Sequence, residues 1–334
     1  MAYNICNNNN NNLSLLVTIE NGSLFAACLL HRLKATVAYS LVDFSLVLVT
    51  TLANLLLIYL LVKKNCTHIV FDRILISHAF VDLITNLFDL PLYHFMVIFG
   101  YFPFNALICF YYNVIDNSTS TIAIVHCIYM AYARIRCVRS PMAFHREWAI
   151  RYSNQLLSAI WACSVIFWVL IAYYYSFEVF VRGQCQIKFA NAYMGILIIC
   201  MGYHLPLMFT VASTCYVIFS IRHKFAYKQR KNQQQITRLN RMRAFLFGNP
   251  RVKLSIIMFV FVACYFPYAM VLLVEAAFGE GVAIPDVTYY ALDLIAYSSS
   301  TWNPILILVL NYKFFTKDSA NLVVVMFKRL SQVF

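Results

Sequence analysis

Charge is scarce in this 334-residue chain: Asp, Glu, Lys and Arg make up only 12% of it, about half of what a soluble globular protein carries. An ordinary water-soluble domain is excluded on that ground. Glycine and proline number 8 each, too few for collagen-like, linker-like or low-complexity architectures, so most of the chain has to be regular structure. The 11 cysteines contain no CxxC pair and no His/Cys cluster at zinc-ligand spacing. Neither a disulfide framework nor a structural metal is expected. HExxH, GxSxG and P-loop motifs are missing too, so the chain is not expected to be an enzyme. What it has instead is apolar bulk, with 62% hydrophobic and 16% aromatic residues.

That bulk falls into seven runs, at 36-63, 69-98, 106-139, 150-174, 192-224, 250-277 and 286-310. Each is long enough to cross a hydrocarbon core of about 30 Å as a helix of roughly 20 residues. Backbone polar groups in lipid have to be satisfied within the segment, and runs of this length do not alternate as barrel strands would, so helices are forced. The expected fold is all-α, an integral membrane bundle of seven transmembrane helices over 36-310. Residues 1-35, with the run Asn7 to Asn12, are expected to form a disordered tail. Residues 311-334 mix Phe314, Phe315 and Leu322 to Phe327 with Lys313, Lys317, Lys328 and Arg329, the pattern of an amphipathic helix lying on the membrane interface.

The net charge is +13, but its distribution matters more than its sum. Basic residues gather between helices 1 and 2, between 3 and 4, between 5 and 6 and in the C-terminal tail, leaving only Arg32, Lys34, Arg182 and Lys188 on the other side. The positive-inside rule therefore puts the N-terminus outside and the C-terminus inside, which in the plasma membrane means extracellular and cytoplasmic. Sequons at Asn12 and Asn21 then fall outside, where glycosylation takes place. Cys109 and Cys185 also fall at outer ends, in a compartment that permits a disulfide. The basic stretch from Arg222 to Lys253 reads as a loop facing anionic membrane lipid rather than nucleic acid. Internal repeats, a filter loop and a charged ring are not visible, which argues against a transporter or a channel.

Polar residues inside the helices carry the functional signal, because each costs a few kcal/mol in lipid unless it faces the bundle and finds a partner, about +2.5–3.5 for a charged one. Asp82, Asp116 and Asn303 are the deepest, with Asn54 and the run Ser298, Ser299 and Ser300, while Asp43, Asp89 and Asp293 lie nearer the outer ends, within reach of water. Asp116, Ser120, Ala123, Cys127 and Arg134 recur at steps of three, four and seven and share one face of helix 3. A carboxylate on such a face, aimed at a bundle cavity, is naturally complemented by a protonated amine. The alternative for Asp116 is an internal pair with a hydroxyl or with Asn113.

These residues resemble those of the rhodopsin-like (class A) G-protein-coupled receptors. The resemblance covers roughly 40 to 315 and rests on one feature per helix: Asn54, Asp82, Cys109, Arg134 with Pro141, Trp161, Cys185, Pro206, Phe261 with Cys264-Tyr265-Phe266-Pro267, and Asn303-Pro304. It implies a receptor that binds an extracellular ligand and activates a heterotrimeric G protein, with Arg134 and Pro141 at the coupling face. Three motifs depart from the family pattern. Asp-Arg-Tyr reads Ala133-Arg134-Ile135, Asn-Pro-x-x-Tyr ends in Ile307, and Tyr265 replaces the helix 6 tryptophan. The missing acid beside Arg134 implies high basal activity or altered coupling.

Asp82, Asn303, Ser300 and Asn54 resemble the family's sodium pocket, although Ala123 replaces the usual helix 3 serine. A water-bridged network without an ion is the other reading. Asp116 occupies the position of the aspartate of aminergic receptors and Tyr297 that of the tyrosine that hydrogen-bonds it there. Ser120, Tyr112, Tyr203, Tyr265 and Tyr268 complete an expected ligand site, the tyrosines forming a cage suited to a cation. The expected ligand is a small biogenic amine and not a catechol, since helix 5 has Ile198, Ile199 and Gly202 where hydroxyls would be needed. A basic neuropeptide, an orphan chemosensory cue and a weakly coupled decoy are the alternatives. Binding at Asp116 and Tyr297 is expected to shift packing around Tyr265 and Phe261 and to let helix 6 swing away from Arg134.

Overall fold

The computed structural model describes residues 20–63, 70–99, 101–139, 150–180, 185, 192–231, 250–278 and 286–310. All regular structure among them is helical. The helices are α1 (Glu20–Lys63), α2 (Val70–Phe99), α3 (Ala106–Arg139), α4 (Ile150–Phe180), α5 (Ala192–Ile199 continuing through Leu205–Lys231), α6 (Pro250–Phe278) and α7 (Asp286–Leu310). Five of them, α1, α2, α4, α5 and α6, are long and apolar enough by composition to cross a membrane. The other two, α3 and α7, are the helices into which Asp116, Arg134, Asp293 and Asn303 fall.

The helix limits follow the apolar runs to within one residue for α2, α3, α6 and α7, while α4 and α5 run past the expected 174 and 224 to Phe180 and Lys231, and the largest correction is at α1. Helix α1 begins at Glu20, so residues 20–35 continue the first helix instead of forming an irregular tail. The reason is local: Ser23 to Leu30 and the residues up to Ala35 contain neither proline nor glycine, and leucine, alanine and lysine all favour helix. The stretch 311-334, Pro141 and the sequon at Asn12 lie outside the described residues, and Asn21 falls in the first turn of α1.

Neighbouring helices pack in a ring: α1 on α2, α2 on α3, α3 on α4 and α5, α5 on α6, α6 on α7 and α7 back on α1. Helix α3 packs against α2, α4 and α5 and crosses the middle. From Cys109 to Arg134 it rises about 37 Å at 1.5 Å per residue, so one end carries the Cys109–Cys185 disulfide and the other the arginine. Large apolar side chains such as Phe44, Leu170, Phe219 and Phe259 face outward, as a lipid-exposed surface requires. The core runs down the centre through Leu57, Ile74, Ile122, Met258 and Phe261.

Two helices contain a single π turn, Thr85–Asp89 in α2 and Cys200–His204 in α5. In each case a proline follows two residues later, Pro91 and Pro206. Proline has no N–H, and its ring crowds the carbonyl four residues back, here Leu87 and Gly202. Both carbonyls lie inside the widened turn. The π turn relieves the crowding and shifts the register of the side chains around it.

Candidate ligand site

At the disulfide end, Asn113 donates to the Cys109 carbonyl at 3.0 Å and lies 3.3 Å from Cys185 Sγ. Asn113 is therefore not the partner of Asp116. Tyr112 packs with Phe102 against this disulfide, which roofs the bundle just above the aspartate.

Asp116 lies two turns below. Only its backbone carbonyl accepts a bond, from Thr119 Oγ1 at 3.2 Å, and its carboxylate has no hydrogen-bond partner among the described residues. Tyr112, Tyr203, Tyr268 and Tyr297 all stand within electrostatic reach of it. Tyr203 also turns its hydroxyl to Ser120, so five of the six residues expected around Asp116 converge there. Tyr265 is the exception. It sits a layer deeper, stacked on Phe261 at 4.6 Å and facing Ser299.

Tyr297 does not hydrogen-bond Asp116, as the family resemblance implied. Its hydroxyl donates to Asp89 Oδ2 at 2.7 Å. The π turn ends at Asp89 and packs against α3, and the Tyr297 hydroxyl reaches that side chain from α7. Asp43, Asp89 and Asp293, expected near water, are all buried. Asp43 is held by His94 and by Tyr290, whose hydroxyl donates to Oδ1 at 2.8 Å, while His94 turns its other nitrogen to Ser40 at 3.1 Å. Asp293 faces Tyr93. One spacing in the sequence foreshadows this acidic layer: Tyr290, Asp293 and Tyr297 recur at three and four on α7.

Below the tyrosine layer, Asn54, Asp82 and Asn303 line a cavity of about 10 Å³ with His78, Cys127, Met130 and Phe261. Asn54 Oδ1, Asp82 Oδ2 and Asn303 Oδ1 have no hydrogen-bond partner there. Asn54 ties α1 to α7 by donating to the Ser300 carbonyl at 3.0 Å, and Ser300 turns its hydroxyl to Asp82. Three orphaned oxygens suit a hard cation or a water molecule, and the volume admits one such occupant. His78, which sequence reasoning missed, enters this cavity, with Nε2 3.1 Å from Asn303 Nδ2 and its ring edge-on to Phe261.

At the far end of α3, Arg134 is wholly buried. Its Nε donates to the Met130 carbonyl at 3.3 Å and Nη1 to Ser255 Oγ of α6 at 3.0 Å, while Nη2 has no partner. A hydroxyl thus closes α6 over the arginine where no acid is present. Ser255 gave no signal in the sequence beyond its place on α6.

Seven helices around a tyrosine-walled acidic layer, with a buried arginine at the opposite end, define a membrane receptor bundle. The chain matches the family described as 7 transmembrane receptor (rhodopsin family) over residues 53–306, and it belongs to that family; it is a receptor and not an enzyme. Muscarinic acetylcholine receptor M4 of Gallus gallus is 24% identical over 214 residues, covering 63% of this chain and 43% of the relative. Muscarinic acetylcholine receptor M2 of Gallus gallus is 26% identical over 153 residues, 45% of this chain and 33% of the relative. Trace amine-associated receptor 5 of Mus musculus is 22% identical over 283 residues, 81% of this chain and 80% of the relative. The chain spans less than half the length of these muscarinic relatives.

Proposed function

We propose that this receptor binds a small extracellular amine at Asp116 and passes the signal to a heterotrimeric G protein at the Arg134 end. The observation that carries the reading is the Asp116 carboxylate, without a hydrogen-bond partner among the described residues, beneath a roof of tyrosines. The surrounding helices offer it no cation, since the sequence has no Lys or Arg between Arg73 and Arg134 or between Lys253 and Lys313. An ammonium group supplies the missing charge, and tyrosine faces stabilise it further by cation–π attraction. Tyr112 and Tyr297 are both nearly buried, a tight setting that favours a small amine over a peptide. The names of the muscarinic and trace amine relatives support the same ligand class.

In this reading the disulfide end faces outward and the Arg134 end faces the cytoplasm, in keeping with the placement of the basic residues. Amine binding changes the packing of Tyr203 and Tyr265, Tyr265 is stacked on Phe261, and Phe261 borders the cavity of Asp82 and Asn303. Asn54, Asp82, Ser300 and Asn303 would hold a sodium ion there, or the water that takes its place. The ligand drives α6 away from Arg134 only by the difference in its affinity for the two arrangements.

The test is a second-messenger assay in cells expressing the intact chain, run against a panel of amines. Asp116→Asn is expected to raise the half-maximal concentration about 100-fold or more at unchanged surface level, the equivalent of about 3 kcal/mol for a broken buried ion pair. Full potency in that variant would sink the amine reading.

A further inference from the structure

His78 brings to the interior cavity a donor that a cation site has no use for. The cavity holds about 10 Å³, roughly the room one water molecule or one small ion needs. Asn54 Oδ1, Asp82 Oδ2 and Asn303 Oδ1 are buried without a hydrogen-bond partner among the described residues, and so is Nδ1 of His78, which lines the same cavity. The Asn303 amide fixes the state of that ring. Its Nδ2 is a donor and stands 3.1 Å from Nε2, so Nε2 accepts and the proton of the neutral imidazole sits on Nδ1. Turning the amide over exchanges the roles and not the outcome, because Nε2–H then donates to Oδ1 and the amide N–H becomes the donor left over. The ring is held in place: His78 is 4% exposed, with Phe261 and His126 edge-on to it at 6.1 and 5.8 Å.

The unmatched groups are thus oxygens together with one N–H. A sodium ion attracts the oxygens but meets the N–H at its positive end, and the donor stays unsatisfied at the cost of a buried hydrogen bond left unmade. A water molecule accepts from the N–H and donates to two of the oxygens. A multivalent metal is no better match, since among the described residues no three acidic, histidine or cysteine side chains converge on one point. We propose that this cavity takes a water molecule in place of a monovalent cation, and that His78 is the residue that sets the choice. The inference rests on the reading of the cavity given above and not on the amine at Asp116. Its test needs no ligand, so the failure of one leaves the other standing.

Melting of the purified full-length receptor in a neutral detergent, in sodium chloride and in N-methyl-D-glucamine chloride of equal ionic strength, tests the proposal. The parent is expected to melt within about 1 °C in the two salts, because an ion that does not bind the folded state cannot stabilise it. His78→Leu removes the donor and leaves the oxygens, so sodium is expected to raise its melting temperature by about 2 °C or more, a gain that the added change Asp82→Asn removes. A parent stabilised by sodium to that extent, with the effect lost in Asp82→Asn, would overturn the proposal. Indifference to sodium in both the parent and His78→Leu would overturn it as well, since another feature then sets the choice. Where His78→Leu does not fold, His78→Ala takes its place. Should neither fold, the sodium-23 resonance decides: a line no broader with the parent than with Asp82→Asn supports the exclusion of sodium, and a broader one defeats it.

Discussion

In the proposed reading, Arg134 is the side chain on which the resting level of the receptor turns. A wholly buried guanidinium restrained by one serine hydroxyl and one backbone carbonyl is held less firmly than one paired with a carboxylate, since hydrogen bonds involving a charged group contribute about 1.5–3 kcal/mol and a broken buried ion pair costs about 3–5. Ser255→Ala is expected to raise signalling without ligand severalfold at matched surface level, and Ser255→Glu, which introduces the missing acid, to lower it below that of the parent. Basal second-messenger output reads both. An unchanged output in both variants would mean that Ser255 does not restrain α6. The absence of an acid beside Arg134 was legible from Ala133, because that motif is contiguous. Ser255 was not, because its pairing joins residues 121 apart in sequence. Asp116 was legible for a similar reason: helical periodicity alone puts it on the Arg134 face. That Tyr297 turns to Asp89 depends on the local width of α2, which no periodicity reveals.

The two π turns are the decisive features at the level of the helix. Hydropathy fixed the limits of α2, α3, α6 and α7 to within one residue, since long apolar runs leave the backbone little choice in lipid, while α4 and α5 run on to Phe180 and Lys231 past the expected 174 and 224. A π turn leaves no trace in hydropathy, and the proline that causes it marks the place but not the consequence. Pro91→Ala removes the crowding at the Leu87 carbonyl and lets α2 return to an ordinary register, carrying Asp89 away from Tyr297. A loss of ligand potency of about tenfold, with surface level maintained, is the expected outcome in concentration–response measurements, the size of about 1.4 kcal/mol. Retained potency would show that Asp89 reaches its place without the widened turn. The start of α1 was misjudged for the converse reason. Ser23 to Leu30 is apolar but too short to span a membrane by itself, so hydropathy leaves it in the tail although its composition favours helix.

Across the whole molecule, the disulfide links α3 to the segment before α5 over 76 residues. Cys109→Ser or Cys185→Ser is expected to destabilise the bundle by about 2–5 kcal/mol, seen as a lower melting temperature in detergent and a smaller surface population. It also loosens Asn113 and the Tyr112 roof over Asp116, so the ligand response should weaken beyond what surface level explains. Orientation belongs to this scale too: an epitope tag at the N-terminus is expected to be accessible on intact cells and one at the C-terminus only after permeabilisation. Reversed accessibility would contradict the direction of signalling proposed above.

The uneven composition of the helices bears on how the receptor is made. Helices α3 and α7 fall short of the apolar character of the other five, because Asp116, Arg134, Asp293 and Asn303 fall in them. A segment with central charges enters lipid alone at a penalty of about 2.5–3.5 kcal/mol for each such residue. During synthesis these two helices therefore depend on companions already in place, α2 for α3 and α6 for α7, their packing neighbours in the finished bundle. Signalling capacity in this chain is thus bound to cooperative membrane insertion, and a lesion in α2 or α6 that spares every ligand contact would still deplete the receptor by stranding its partner outside the bilayer.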